Sequence, residues 1–187
     1  LHMEYLETDR YPDDSVPIQR IKLYNKKYLN VKLDLLICIG INIIGLLREN
    51  LDDYLLELPA ISLDYDFSNY GLDWPIELND KTTSIPLKVE AGKTIASILE
   101  LLPGTTSVYF ICGIAPGDRL FHSVSMHEAI KLPKNIKITF ISDMSMDEAL
   151  SRVRNLPEKS IIIVPRFTTD IKQVNYYNTE AVRLISL

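Results

Sequence analysis

The sequence predicts an α/β protein, with parallel sheets flanked by helices, and three features of its second half carry that expectation. Short runs of apolar, β-branched and aromatic residues recur at 108–112, 136–141 and 160–164. The first two are followed by stretches of helical pattern, 117–131 and 146–155. The runs are continuous rather than alternating, as strands covered on both faces are. This rhythm is that of βαβ crossovers, and such sheets place ligand and partner groups on the loops after the strands.

The elements follow in chain order. A polar lead-in at 9–15 opens a helix capped by Asp14 or Ser15. Its apolar positions Val16, Ile18, Ile21, Tyr24 and Tyr28 fall near helical spacing, and Pro17 is tolerated in the first turn. Residues 33–39 form a buried-strand run, Gly40 turns the chain into a long helix over 42–58, and Pro59 ends it. A strand follows at 61–65. Residues 67–84 lack a clear period and hold Gly71, Trp74 and Pro75; they are the expected crossover. A strand at 85–89 then opens a second block. A helix at 93–102 stops at Pro103-Gly104, the three strand units follow, and Asn178 caps a last helix over 179–187. The expected organisation is a partial first α/β lobe at 4–66, a crossover at 67–84 and a second α/β lobe at 85–187.

Composition excludes some classes. The net charge of −5 argues against nucleic acid as a partner, because phosphate binding wants a basic surface. No window approaches the apolar length of a membrane span. Leu1-His2-Met3 reads as a cloning remnant, so the chain is expected to be an excised segment. Cys38 and Cys112 lie inside separate apolar runs and read as buried thiols.

Apparent catalytic motifs fail on spacing. Gly92-Lys93-Thr94 resembles the end of a phosphate-binding loop, but position 87 is Leu where that motif needs glycine. Gly40 to Gly45 lacks the third glycine of a dinucleotide fingerprint. His122 and His127 do not share a helical face as an i, i+4 pair would, and no cysteine stands near them. Ser123 and Ser125 have no nucleophile-elbow turn. Asp13-Asp14 and Asp52-Asp53 read as solvated or capping residues. The segment is expected to be non-catalytic, with no cofactor and no metal.

The strand-end loops remain. Asn42, Asp64 and Asp66 follow the first strands; Gly113, Asp118 and Arg119 follow Cys112; Ser142 and Asp143 follow Ile141; Arg166, Thr168 and Asp170 follow Pro165. In an open parallel sheet these loops share a rim where helix N-termini favour anions, although Asp118, Asp143 and Asp147 also suit helix caps. The expected ligand-binding set is Asn42, Asp64, Gly113, Asp118, Arg166, Thr168 and Asp170. Arg166, directly after a buried strand, suits recognition of a carboxylate.

Five motifs carry a family resemblance: YLETDRYPDD at 5–14, KY at 27–28 before LDLLI at 33–37, LLPGT at 101–105, GIAPGDR at 113–119 and LPEKSII at 156–162. In order and spacing they resemble the extracytoplasmic sensor domains of bacterial hybrid histidine kinases and diguanylate cyclases, from Tyr5 to Leu187. Such domains are built like the substrate-binding components of ABC transporters, with two α/β lobes clamping a cleft. The resemblance implies a periplasmic-binding-protein-like fold and a periplasmic domain of a two-component signalling protein anchored in the inner membrane. It would sense a small molecule or a periplasmic protein by population shift. The chain departs from the family in three ways. A strand-helix-strand stretch before Tyr5 is missing, leaving a first lobe of two strands whose open edges invite a homodimer or a swapped element. The turn at 40–45 has only Asn42 as a polar group. After Asp170 come Ile171-Lys172-Gln173 in place of a glycine. These departures shift weight towards a protein partner. The alternatives are a solute-binding component of a transporter and a cytosolic flavodoxin-like α/β protein.

Overall fold

The computed structural model describes residues 1–8, 10–11, 13–40, 43–70 and 80–186. The chain is α/β: two three-stranded parallel sheets with flanking helices, of the Rossmann-like and periplasmic-binding-like type. It divides into two units, Leu1–Val89 and Glu90–Leu187. None of the described helices is long and apolar enough to cross a membrane.

The first unit runs α1 (Ser15–Tyr28), β1 (Leu36–Ile39), α2 (Ile43–Asn50), α3 (Asp53–Leu56), β2 (Ala60–Asp66), a 3-10 turn (Ser68–Tyr70) and β3 (Thr82–Lys88). Its sheet has the order β1-β2-β3, all parallel. Ile21 of α1 and Ile44, Leu46 and Leu47 of α2 bury the face that carries Cys38 and Ala60. Asp14 precedes α1 in the left-handed region, at φ 61°, and its side chain makes no cap.

Two expectations change here. The strand expected at 85–89 does not open the second block: it is part of β3, which pairs with β2 along its whole length. Among the described residues the first unit therefore has three strands. Thr82, Thr83, Ser84 and Pro86 break the apolar pattern of this strand, and an edge position tolerates the proline. The long helix expected over 42–58 is two helices. The Asn25 amide, from α1, donates to the Asn50 carbonyl and to Asp52 Oδ1, both at 3.0 Å, and accepts the Asp52 N–H at 3.2 Å. Satisfying those groups from outside removes the need to continue the helix.

The second unit runs α4 (Ala91–Leu101), β4 (Ser107–Ile111), α5 (Pro116–Ala129), β5 (Lys137–Ile141), α6 (Met146–Arg154), β6 (Ser160–Ile163) and α7 (Asn178–Ile185). Its sheet has the order β5-β4-β6, all parallel, so the chain steps one way from β4 and then back across it. Right-handed crossovers in opposite directions put helices on opposite faces. Val108 and Phe110 face Ile95 of α4 and Ala129 of α5. Tyr109 and Ile111 face Met146 and Ala149 of α6 and Ala181 and Ile185 of α7. Every residue of β4 is buried, which is why its sequence is a continuous apolar run. Asn178 is the first residue of α7 rather than its cap. Its Oδ1 accepts the Phe167 N–H at 2.8 Å, and Glu180 accepts the N–H of Tyr177, the capping residue, at 3.4 Å.

Candidate functional site

Reversal of strand order at β4 creates a topological switch point, where the loops after β4 and β6 diverge at the carboxyl edge of the sheet. In open α/β sheets ligands bind there. Four of the sequence-predicted residues, Gly113, Asp118, Arg166 and Thr168, meet at this point, and Asp170 stands beside them.

Asp118, in the first turn of α5, is fully buried. Its carboxylate accepts the Ala115 N–H at 3.2 Å, the Thr168 N–H at 3.0 Å, the Thr168 hydroxyl at 2.9 Å and the Thr169 N–H at 3.2 Å. Arg166 Nε lies 3.5 Å from Oδ1. One carboxylate thus caps α5 and clamps the loop after β6 to the loop after β4. Gly113 is a matter of space: a Cβ there would lie 2.2 Å from Asp118 Oδ2 and 2.6 Å from the Thr169 carbonyl. Only glycine allows this approach. Arg166 is no freely exposed rim cation, since its side chain is 19% exposed and lies against Asp118 and Gly117.

Asp170 does the same for α6. It is buried and accepts the Met146 N–H at 3.1 Å, the Lys172 N–H at 2.9 Å and the Val174 N–H at 3.0 Å. Ser145 and Glu148 complete that helix start, with Glu148 Oε2 accepting the Ser145 N–H at 2.8 Å and the Glu148 N–H reaching Ser145 Oγ at 3.4 Å. The cap of α6 is therefore Ser145, while Asp143 stands before it at φ 56°.

A third helix start shows the same device. The buried Glu128 of α5 sets its carboxylate against Gly92 at the start of α4, where a Cβ added at position 92 would lie 2.1 Å from Oε2. Burial alone would raise its pKa. The Lys131 ammonium at 2.5 Å and the Gly92 N–H outweigh that and hold it below the usual carboxylate range. The Gly92-Lys93-Thr94 turn thus receives the protein's own carboxylate at the place where a phosphate would sit in a phosphate loop. Glu128 had no recognisable sequence signal; only the packing of α4 on α5 brings it to Gly92.

The outward face of the rim carries charge. Arg119 Nη2 meets Asp143 Oδ1 at 3.0 Å, with both side chains more than half exposed. Ser142 and then Arg119 hold the Asp143 carboxyl below its ordinary pKa. His122, one turn along α5, sets its ring edge-on to Phe140 with centroids 5.2 Å apart. Its Nε2 is buried with no hydrogen-bond partner among the described residues, and burial lowers its pKa. Cys112 is buried beside Asp118 and pushed up to about 12, chiefly by burial, so it is a thiol at neutral pH.

The remaining predicted residues lie elsewhere. Asp64 is buried in β2 of the first unit, with its Oδ1 accepting the Tyr65 N–H at 2.8 Å. Asp66 caps the following turn through Ser68. Asn42 lies outside the described residues. Among the described residues no cluster of His, Cys, Asp and Glu could hold a metal ion.

Fold and rim together define a class: an α/β protein whose switch point is braced from within by buried carboxylates. No protein-family model, curated protein or solved structure matches the chain.

Proposed function

We propose that this chain is the extracytoplasmic sensing domain of a membrane-bound two-component signalling protein, non-catalytic, recognising a small molecule or a protein partner with the strand-end loops of its second unit. The observation that supports it most is the rim itself. Buried Asp118 and Asp170 hold three loops in register at a switch point, while Arg119, Asp143 and part of Arg166 remain turned to solvent. A rigid scaffold beneath an outward polar edge suits recognition. The extracytoplasmic setting and the membrane-anchored parent rest on the sequence resemblance, not on the site. Because the helix starts already hold the protein's own carboxylates, an anionic ligand would be met by the arginines rather than by helix N-termini.

A thermal-shift screen of amino acids, carboxylates and sugars tests this reading. A carboxylate held by Arg166 makes a charge-assisted bond of about 1.5–3 kcal/mol, so Arg166→Ala should weaken its binding by roughly tenfold to a hundredfold. A ligand whose affinity ignores both Arg166→Ala and Arg119→Ala would remove the site from the proposal. A screen with no stabilisation by any compound would remove the small-molecule reading and leave a protein partner. The full-length gene tests the setting: a membrane span followed by a kinase or cyclase module is the expected arrangement, and a free-standing protein would favour the solute-binding component of a transporter.

A further inference from the structure

The two sheets differ in how they are wound, and the difference leaves a surface unexplained. The second sheet reverses at β4 and buries both faces. The first adds β2 beside β1 and β3 beside β2, always in one direction. Among the described residues, α1 and α2 cover the Cys38–Ala60 face. Side chains alternate along a strand, so the opposite face presents Leu35, Ile37 and Ile39 from the β1 segment, Ile61 and Leu63 from β2, and Ile85 from β3. Strand register aligns Ile37 with Ile61, and Ile39 with Leu63 and Ile85. Leu35 is 44% exposed, Ile37 51%, Ile39 68% and Ile85 47%. None of the six is charged, and they form an isoleucine-rich apolar patch on a sheet in which β1 is an edge strand among the described residues.

We infer that this face is an interface between two copies of the chain, packed sheet on sheet about a two-fold axis. The patch offers on the order of 500 Å² per copy, so a pair buries roughly 1,000 Å², which reaches the lower end of specific interfaces. An oppositely charged partner finds no ionic group here and would strand its own charges. An identical face strands none, and two such sheets stack about 10 Å apart with interdigitated aliphatic rows. The copies carry a net charge of −5 each and repel at long range, so salt should tighten the pair by screening that repulsion while the apolar contact persists. The inference stands independently of the sensing role.

Sedimentation velocity on the whole chain, from low-micromolar to submillimolar concentration and at low and high salt, is the test. The expected result is a monomer–dimer equilibrium that tightens with salt and is weakened roughly tenfold or more by Ile39→Asp and by Ile85→Lys. Ile130→Asp, which alters an exposed isoleucine of the second unit, should leave it unchanged. Should a charged variant fail to fold by circular dichroism, the double substitution Ile37→Thr with Ile39→Thr keeps β propensity and should also loosen the pair. A monomer at every concentration overturns the inference. So does a dimer disrupted by Ile130→Asp but not by changes at Ile39 and Ile85, or a longer version of the polypeptide whose added residues cover Ile37 and Ile39 in a monomer.

Discussion

At the scale of single residues, the second unit depends on Asp118 more than on any cation near it. Asparagine at 118 would keep the size but remove the charge and turn an amide donor towards three backbone N–H groups. Asp118→Asn should therefore cost about 3 kcal/mol, read as a lower denaturant midpoint. Arg166→Ala should cost clearly less, because the backbone donors still satisfy the carboxylate. An equal or larger loss for Arg166→Ala would mean that the ion pair, not the backbone clamp, holds the loops. His122 gives a pH dependence of fixed sign. Its pKa is lowered in the fold, chiefly by burial, so the stability it contributes is full above its unfolded value near 6.5. That contribution is lost as pH falls through the folded value. His122→Phe should flatten the stability profile on the acid side of pH 6.5, and thermal melts across pH 5–8 check it. The buried Glu128 carboxylate, held low, acts in the same direction but only at more acid pH.

At the scale of elements, helix starts set the boundaries. At α6 the Ser145 hydroxyl, the Glu148 carboxylate and Asp170 converge on one turn. Ser145→Ala should cost roughly 0.5–2 kcal/mol of the stability of the second unit, the range for loss of an N-cap. Glu148→Gln should cost less, because the amide oxygen can still accept the Ser145 N–H. Equilibrium urea unfolding resolves the two, and a neutral Ser145→Ala would show Asp170 alone to be sufficient. The α2–α3 break belongs to this scale as well. Sequence periodicity over 42–58 is helical, and its one local hint of the interruption is the acid pair Asp52-Asp53, which stands at the start of α3. The cause is Asn25, more than twenty residues earlier, whose amide captures the groups of 50 and 52. Local pattern cannot contain a cause that lies on another helix.

At the scale of the whole molecule, winding decides robustness. The second unit closes its core on both faces, whereas, among the described residues of the first, Ile37, Ile39 and Ile85 stay exposed on one face. Amide exchange should therefore be slowest in β4, with β1 and β3 opening far more readily. A fragment starting at Glu90 should unfold cooperatively by itself. Faster exchange in β4 than in β2, or a fragment without a thermal transition, would contradict this account.

What the sequence determined by itself was the α/β class, the three strands of the second sheet to within a residue or two, and the stop at Pro59. These follow from burial on both faces and from backbone restrictions, which are written locally as apolar runs, proline and glycine. Of the seven residues expected as a ligand-binding set, Gly113, Asp118, Arg166, Thr168 and Asp170 come together because strand ends converge, whereas Asp64 lies in the first unit and Asn42 outside the described residues. What those five do was not legible. Asp118 and Thr168 are fifty positions apart and meet at 2.9 Å only because β6 lies beside β4. Membership of β3 in the first sheet, the break between α2 and α3, the capture of Gly92 by Glu128 and the bare isoleucine face were all decided by tertiary structure. Strand order and crossover hand bring distant groups together, and neither leaves a trace in the residues nearby.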